Sequence, residues 1–255
     1  MKLTFIGNGN MAKALIEGLI KNHEIEVIGR NKEALKILQE QLPEISTKVI
    51  EKNEDISKKN IVLCVKPYSL PDLVLKLNGT ADSVYSILAG TSLKSLKSQI
   101  KSKKYIRTMP NLGASYLKSM TTITGDKELK ESALNIFNEI GRTLWLSSEN
   151  ELDIATGVAG SGPAYLALIA ESLADGAVNQ GLKRADSQVL VQGLFEGFAS
   201  LIVNENPALI KDSVMSPGGT TAAGYAALER NGIRHGMIEA VSDAYAKAKE
   251  LKLKN

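Results

Sequence analysis

The chain has 255 residues, of which 44% are hydrophobic and 23% are charged, and its formal net charge is +3. This length and composition suffice for one large or two ordinary globular domains with a buried core. The small net charge, carried by interspersed lysines and glutamates, lacks the basic footprint of a nucleic-acid-binding protein. We therefore expect no nucleic-acid partner.

Metal ligands and membrane signals are scarce. Cys64 is the only cysteine and His23 and His235 are the only histidines, so we expect neither a disulfide framework nor a zinc or iron site. The longest uninterrupted apolar run, Ala164 to Ala170, is too short to span a membrane. The first residues lead into a strand without the pattern of a secretory signal. We expect a cytoplasmic protein with no membrane association.

The first elements match a dinucleotide-binding pattern. An apolar strand, Lys2 to Ile6, precedes Gly7-Asn8-Gly9-Asn10-Met11-Ala12 and a run with apolar residues at helical spacing. A strand, a G-x-G-x-x-A turn and a helix hold a cofactor pyrophosphate at the helix N-terminus. Gly7 permits the tight turn, Gly9 lets the pyrophosphate approach, and Ala12 lets the helix pack closely on the strand.

The residues after the second predicted strand, Glu26 to Gly29, indicate which dinucleotide binds. An NAD site usually has Asp or Glu here for the ribose 2′-hydroxyl, whereas a 2′-phosphate favours arginine. This chain has Arg30-Asn31-Lys32. We therefore predict NADPH, with weaker use of NADH, and place Arg30 and either Asn31 or Lys32 on the 2′-phosphate. A solvated basic helix start is the alternative interpretation.

Strands and helices alternate through the first part of the chain. The apolar run Asn60 to Val65 is typical of a strand buried on both faces of a parallel sheet. Ligands lie outside the carboxyl ends of such strands, so Val65, Lys66 and Pro67 should lie along the cofactor, although Lys66 can also be a solvated lysine. The alternation predicts an NADP-binding, Rossmann-type α/β domain over 1–149, with a doubly wound, mostly parallel sheet.

The remainder of the chain is predicted to be helical. Helices are expected at 151–158, 163–180, 185–204, 207–213, 220–230 and 232–252. The helix over 163–180 is apolar on nearly every face at its start and should be buried. Because so much apolar helix needs a partner to cover it, we predict an all-α dimerisation and substrate domain over 150–255, and a homodimer.

One turn in the helical part is a candidate anion site. Ser216-Pro217-Gly218-Gly219-Thr220-Thr221 precedes the helix predicted at 220–230. Backbone N–H groups at a helix N-terminus can bind an anion, and glycine lets the ligand approach the main chain. The Thr220 and Thr221 hydroxyls can cap the helix or face the ligand. An ordinary capped turn is the alternative.

Five segments of the chain resemble those of pyrroline-5-carboxylate reductases, almost from end to end. They are Phe5 to Ala12, Val65 to Pro67, Arg107 to Asn111, Gly157 to Tyr165 and Lys211 to Thr221. The resemblance implies reduction of L-1-pyrroline-5-carboxylate to L-proline by hydride transfer from NADPH, the last step of proline biosynthesis. Relatives often form rings of dimers, so the resemblance allows the predicted dimer to assemble further into such a ring.

The resemblance also implies roles for individual residues. The pyrophosphate loop corresponds to Gly7, Asn8, Gly9, Asn10 and Met11. The other cofactor contacts correspond to Arg30 and Asn53 at the adenosine end, and to Cys64, Val65, Lys66, Pro67 and Ile87 to Ala89 around the nicotinamide and its ribose. The substrate contacts correspond to Ser216, Gly218, Gly219, Thr220 and Thr221, with Glu149 near the product.

The available side chains fit an imine reduction. From the sequence we expect no His–carboxylate pair or cysteine nucleophile, so the chain should be poorly equipped for reactions that need a strong general acid. Hydride transfer to a protonated imine mainly requires positioning. Thr221 is expected to hydrogen-bond the ring nitrogen. Lys66 can bind the cofactor or donate a proton, and we favour the cofactor.

Two other functions fit parts of this pattern. One is an NADP-dependent dehydrogenase of small hydroxy acids, which would normally need a lysine or histidine in the helix over 163–180, where neither occurs. The other is a non-catalytic NADP-sensing module, which would not need the Thr220-Thr221 pair. For the reductase, we expect the substrate between the helical domain and the nicotinamide, at the dimer interface.

Overall fold

The computed structural model describes residues 1–254, with side chains described through residue 252. Asn255, the last residue of the predicted second domain, lies outside the described residues. The strands are β1 (Lys2–Ile6), β2 (Glu24–Gly29), β3 (Ser46–Val49), β4 (Glu54–Asp55), β5 (Asn60–Leu63), β6 (Leu77–Asn78), β7 (Ala81–Ser86), β8 (Ser102–Met109), β9 (Ser119–Gly125) and β10 (Gly141–Trp145). The helices are α1 (Asn10–Leu19), α2 (Lys32–Gln41), α3 (Leu70–Val74), α4 (Leu93–Gln99), α5 (Lys130–Asn138), α6 (Glu149–Ala155), α7 (Gly162–Asn179), α8 (Arg184–Asn204), α9 (Pro207–Val214), α10 (Thr220–Arg230) and α11 (Ile233–Lys254).

Eight strands form one sheet in the order β10-β9-β8-β7-β5-β1-β2-β3, and β4 pairs with β6 in a small second ladder. Neighbouring strands of the large sheet are parallel except β8 and β9. From β1 the chain runs outward through β2 to the edge strand β3. It then crosses to the opposite side of β1, where β5 pairs with β1. The predicted doubly wound, mostly parallel sheet is confirmed, with its topological switch point between β1 and β5.

The two faces of the sheet are buried under two separate apolar clusters. Phe5 and Val62 belong to one cluster, whereas Ile6, Ile61 and Leu63 belong to the other. Successive side chains of a strand point to opposite faces, so the alternation follows from strand geometry. Because both faces are covered, the apolar residues of β1 and β5 are buried on whichever face they lie, as predicted for buried parallel strands.

The ends of the strands differ from prediction by a few residues. The strand predicted over Asn60 to Val65 ends at Leu63. Cys64 still donates its backbone N–H to the Ile6 carbonyl at 2.9 Å. The chain then leaves the sheet, which turns Val65 and Lys66 outward at the carboxyl edge instead of continuing the ladder.

Contacts divide the described chain into two compact units. One contains Met1–Ser161 together with the residues from Ser242 onward, and the other contains Gly162–Val241. No described residue after β10 forms a strand, in agreement with the predicted all-helical second half. The domain boundary at residues 149 and 150 marks the change from strands to helices along the chain, and its position stays a prediction.

The helices of the second unit expose much apolar surface. α7 and α8 pack against each other, yet Ala174 is the only residue of α7 that is buried. The prediction that this helix is buried is therefore wrong for the single chain. The exposed apolar side chains of α8 are Val189, Leu190, Leu194, Phe198, Leu201, Ile202 and Val203. Apolar patches of this kind mark interaction surfaces.

The segment from α6 to α7 is one nearly continuous helical path, Glu149–Asn179. Its length, and a mean hydropathy of 1.3 in its most apolar 18-residue stretch, would allow it to cross a membrane, and 22% of that stretch is buried. A helix that packs in the core or interface of a water-soluble protein has the same length and composition. The predicted lack of membrane association therefore stays a prediction.

A π-helical turn, Thr156–Gly160, joins these two helices. The sequence Gly160 to Pro163 predicts a simple turn. Instead, Ser161 donates its N–H to the Thr156 carbonyl at 3.0 Å, five residues earlier. The Ala159 carbonyl accepts the side-chain amide of Asn111 at 2.8 Å. The π-helical turn is thereby hydrogen-bonded to the segment that follows β8.

Candidate functional site

A cavity of about 630 Å³ opens at the carboxyl edge of the sheet, beside the topological switch point. The predicted cofactor-binding residues that line it are Gly7, Asn8, Gly9, Arg30, Asn31, Cys64, Val65 and Lys66. Asn10, Met11, Asn53, Pro67 and Ala89 are not among its lining residues. Segments after β1, β2 and β5 thus meet at one cavity, which is where open α/β sheets bind ligands.

Gly7 is the point where the glycine-rich turn leaves β1. Its φ is +109°, and its N–H donates to the Ile28 carbonyl at 2.8 Å. A Cβ at this position would lie 2.5 Å from the Cys64 carbonyl oxygen. Both the positive φ and the close approach of the residue after β5 therefore require glycine.

Gly9 leaves the N-terminus of α1 accessible to a ligand. It is the N-cap residue, and no side chain caps the first turn. No atom lies within 4 Å of where its Cβ would be, so the main chain is open to the cavity. The first N–H groups of α1 have no intrahelical acceptor, and α1 therefore offers them to an anion such as a pyrophosphate.

Three cationic side chains line the cavity: Arg30, Lys66 and Lys76. Within the described part of the chain, none of the three forms an ion pair. Asp72 is the acidic residue of the lining. A cavity with this excess of positive charge suits a ligand that carries several phosphates.

The Asn31 side chain forms a hydrogen bond within the protein. Its side-chain oxygen accepts the backbone N–H of Ala34 at 3.0 Å and so caps α2. The capping leaves the amide NH₂ group as the part of Asn31 that can contact a ligand. Arg30, which precedes this cap and is exposed, is the stronger candidate for a phosphate.

Cys64 is an unreactive part of the cavity wall. It is a free cysteine, half-buried, and packs against the apolar cluster that contains Phe5. Burial raises the pKa of its thiol far above the usual value. Since the thiolate is the nucleophile, Cys64 contributes shape and not covalent chemistry.

Several lining residues carry no signal in the sequence. Ser69, Asp72, Leu73, Leu75 and Lys76 lie on or beside α3. α3 has five residues and contains a proline, so it is too short to show a helical period. Nothing in the local sequence would therefore place these residues on the cofactor side.

Glu149, predicted to lie near the product, is bound to other protein groups. Its carboxylate accepts Arg107 Nη1 at 2.9 Å and the Leu93 backbone N–H at 2.8 Å. Arg107 Nη2 donates to the Asp153 carboxylate at 2.9 Å, and Lys252 Nζ donates to the other oxygen of the Asp153 carboxylate at 3.0 Å. We name Arg107, Glu149, Asp153 and Lys252 the buried charge cluster. A role for Glu149 toward the substrate stays a prediction.

The Ser216–Thr221 turn leads into α10 as predicted. Gly219 is the N-cap of α10, without a side-chain cap, and Gly218 has φ +71°. The Thr220 and Thr221 side chains are exposed, and their hydroxyls make no hydrogen bond to any described residue. The helix N-terminus and both hydroxyls are therefore available to a ligand.

The doubly wound sheet, the glycine-rich turn and the cationic cavity define the class of Rossmann-type dinucleotide-binding proteins. A pyrroline-5-carboxylate reductase from Helicobacter pylori is 35% identical to this chain and covers 96% of it, with 98% of that protein aligned. One from Synechocystis sp. is 39% identical, with 98% of each chain covered. The chain belongs to the pyrroline-5-carboxylate reductase family.

Family profiles and solved structures agree with this assignment. The profile described as pyrroline-5-carboxylate reductase dimerisation matches residues 149–251, and that described as NADP oxidoreductase, coenzyme F420-dependent, matches residues 2–90. The 1-pyrroline-5-carboxylate reductase of Streptococcus pyogenes has a TM-score of 0.86 at 30% identity, with 98% of each chain covered. The Plasmodium falciparum pyrroline carboxylate reductase, solved with NADP bound, has a TM-score of 0.81 at 26% identity, covering 99% of this chain and 98% of that one.

Proposed function

We propose that the chain reduces L-1-pyrroline-5-carboxylate to L-proline with NADPH as hydride donor, the last step of proline biosynthesis. The observation that carries the proposal is the cavity at the switch point, with its glycine-rich turn and three unpaired cations, in a chain of this family. The exposed Thr220-Thr221 pair at the start of α10 supplies polar groups for a small acidic substrate.

The cavity fits a phosphorylated dinucleotide in its shape and charge. Gly9 leaves room for a pyrophosphate against the N-terminus of α1, and Arg30 lies at the exit of β2, where the adenosine ribose is expected. Lys66 leaves β5 and is exposed, so it can contact the nicotinamide half of the cofactor. When bound, the reduced nicotinamide supplies the hydride, and the chain's task is to bind and orient it.

The turn before α10 is proposed to hold the substrate carboxylate. The Gly219 N–H donates to the Ser216 carbonyl at 3.0 Å, which holds the turn closed. The N–H groups of Gly218 and Thr220 have no acceptor among the described residues. Two backbone donors at a helix N-terminus suit a carboxylate, because the helix dipole adds to their attraction.

Thr221 is proposed to hydrogen-bond the ring nitrogen that becomes the proline amine. With wild-type protein, NADPH should be oxidised only when pyrroline-5-carboxylate is added. Thr221→Ala should lower kcat/KM by roughly one to two orders of magnitude, as expected for one hydrogen bond lost in a desolvated site. Thr80→Ala, which truncates another exposed threonine, is the matched control and should behave as wild type. Unchanged kinetics in Thr221→Ala would reject the role of this hydroxyl.

Self-association as a homodimer belongs to the same proposal. Its support is the match of residues 149–251 to the dimerisation profile and the exposed apolar side chains of α8. Association would remove this apolar surface from water, which is the main driving force of obligate interfaces. Assembly of dimers into a ring stays a prediction. We place the protein in the cytoplasm, since a lone free cysteine suits a reducing compartment.

A further inference from the structure

The part of the cofactor cavity lined by α3 and its flanking residues carries a second lysine besides Lys66. Lys66 precedes the short turn Pro67–Ser69 that leads into α3, and Lys76 follows the end of α3. Both lysines line the cavity. Since α3 has five residues, it spans about 7–8 Å at the helical rise per residue. The two lysines thus flank α3 at opposite ends of the helix.

Two backbone hydrogen bonds connect Lys76, through the segment after β3, to the end of β2 that precedes Arg30. The Ile50 N–H donates to the Gly29 carbonyl at 2.9 Å and holds the segment after β3 against the exit of β2. The Glu54 N–H, farther along the same segment, donates to the Lys76 carbonyl at 2.7 Å. Lys76 is thus tied to the segment that borders the residue before Arg30.

The charge of Lys76 is not neutralised by the protein. Its side chain is half-buried and forms no ion pair with any described residue, not even with Asp72 four positions earlier. A ribose 2′-phosphate carries a charge near −2 at pH 7. Arg30 alone would leave about half of that charge uncompensated in a partly enclosed cavity.

We propose that Lys76 is a specificity-determining residue that binds the adenosine 2′-phosphate together with Arg30. The inference rests on the proposed use of NADPH and adds a second cation to the arginine that follows β2. The Lys76 ammonium would approach from the α3 wall while the guanidinium approaches from the β2 exit. The phosphate would then be contacted from two sides, and an adenosine with a free 2′-hydroxyl would gain nothing from Lys76.

The test is calorimetric titration of the 255-residue chain with adenosine 2′,5′-bisphosphate and, separately, with adenosine 5′-monophosphate. The two probes differ only in the 2′-phosphate, and neither requires turnover. Lys76→Met should weaken bisphosphate binding about tenfold or more, the loss expected for one charge-assisted hydrogen bond. Binding of the monophosphate should stay within about twofold of wild type. Lys76→Arg should restore most of the discrimination because it keeps the charge.

Two further variants act as controls for charge. Lys101→Met removes an exposed lysine that does not line the cavity and should leave both affinities unchanged. Asp72→Asn removes the carboxylate of the cavity wall and should strengthen bisphosphate binding, because the repulsion of the phosphate disappears. Melting curves of each variant, recorded at one protein concentration, show whether it is folded.

The outcomes separate this inference from the proposed function. If wild-type protein does not distinguish the two probes, the preference for NADPH itself is wrong. If wild type distinguishes them and folded Lys76→Met does so equally well, only the role of Lys76 is overturned. Equal weakening of both probes in Lys76→Met would place the lysine on the 5′-phosphate or the adenine and would also contradict the proposal.

Discussion

Replacing Arg107 with methionine is expected to lower the free energy of unfolding by about 3–5 kcal/mol. The Arg107 side chain is 2% exposed and contacts Glu149 and Asp153, each at 2.9 Å. Removing the guanidinium leaves two carboxylates with one remaining cation, Lys252, which contacts only Asp153. An uncompensated buried charge is costly, so the loss should exceed that of the arginine's packing alone.

Chemical denaturation at a fixed protein concentration measures this effect, because the apparent stability of an associating protein depends on its concentration. Arg142→Met is the matched control, since Arg142 is exposed and forms no ion pair with a described residue; it should change stability by less than about 0.5 kcal/mol. Equal stability of the Arg107 and Arg142 variants would show that the buried charge cluster does not stabilise the fold.

Gly7→Ala is expected to disrupt both folding and cofactor binding. The added Cβ would lie 2.5 Å from the Cys64 carbonyl oxygen, and the residue would have to adopt φ +109°. We expect a loss of stability of about 1–3 kcal/mol from backbone strain alone. NADPH affinity should fall by about tenfold or more, because the displaced turn no longer directs its N–H groups at the pyrophosphate.

Gly9→Ala separates folding from binding. Gly9 has φ −76°, and no atom lies within 4 Å of the place its Cβ would take, so the variant should keep wild-type stability. The methyl group would stand where the pyrophosphate approaches, and NADPH binding should weaken by about tenfold. Thermal melting and fluorescence titration with NADPH measure the two properties. Wild-type NADPH affinity in Gly9→Ala would contradict the assignment of this turn to the pyrophosphate.

Much of the first unit could be predicted from the sequence because its patterns are local. The run from Lys2 to Ala12 combines a strand, a turn and a helix whose glycines serve clear steric purposes, and the structure contains each of them. The buried strand β5 could be recognised for the same reason, since a parallel strand covered on both faces is apolar throughout. The helix after the Ser216–Thr221 turn begins where its glycines and threonines predict.

Features that depend on long-range contacts could not be predicted. Arg107 is recognisable in the sequence only as part of a motif, because its pairing with Glu149 and Asp153 of α6 joins residues far apart along the chain. Lys76 directly precedes β6, whose two residues pair with those of β4. Strands this short leave no periodic signal in the sequence. The burial predicted for α7 failed because one chain leaves that helix largely uncovered.

The amount of L-proline that the purified protein forms per NADPH consumed tests the proposed reaction. Adding L-1-pyrroline-5-carboxylate should cause loss of the absorbance of reduced nicotinamide, with equimolar formation of L-proline. Small hydroxy acids with NADP⁺ should give no comparable rate. Binding of NADPH without proline formation would support an NADP-sensing module, and rapid oxidation of a hydroxy acid would support a dehydrogenase; either result would contradict the proposed reaction.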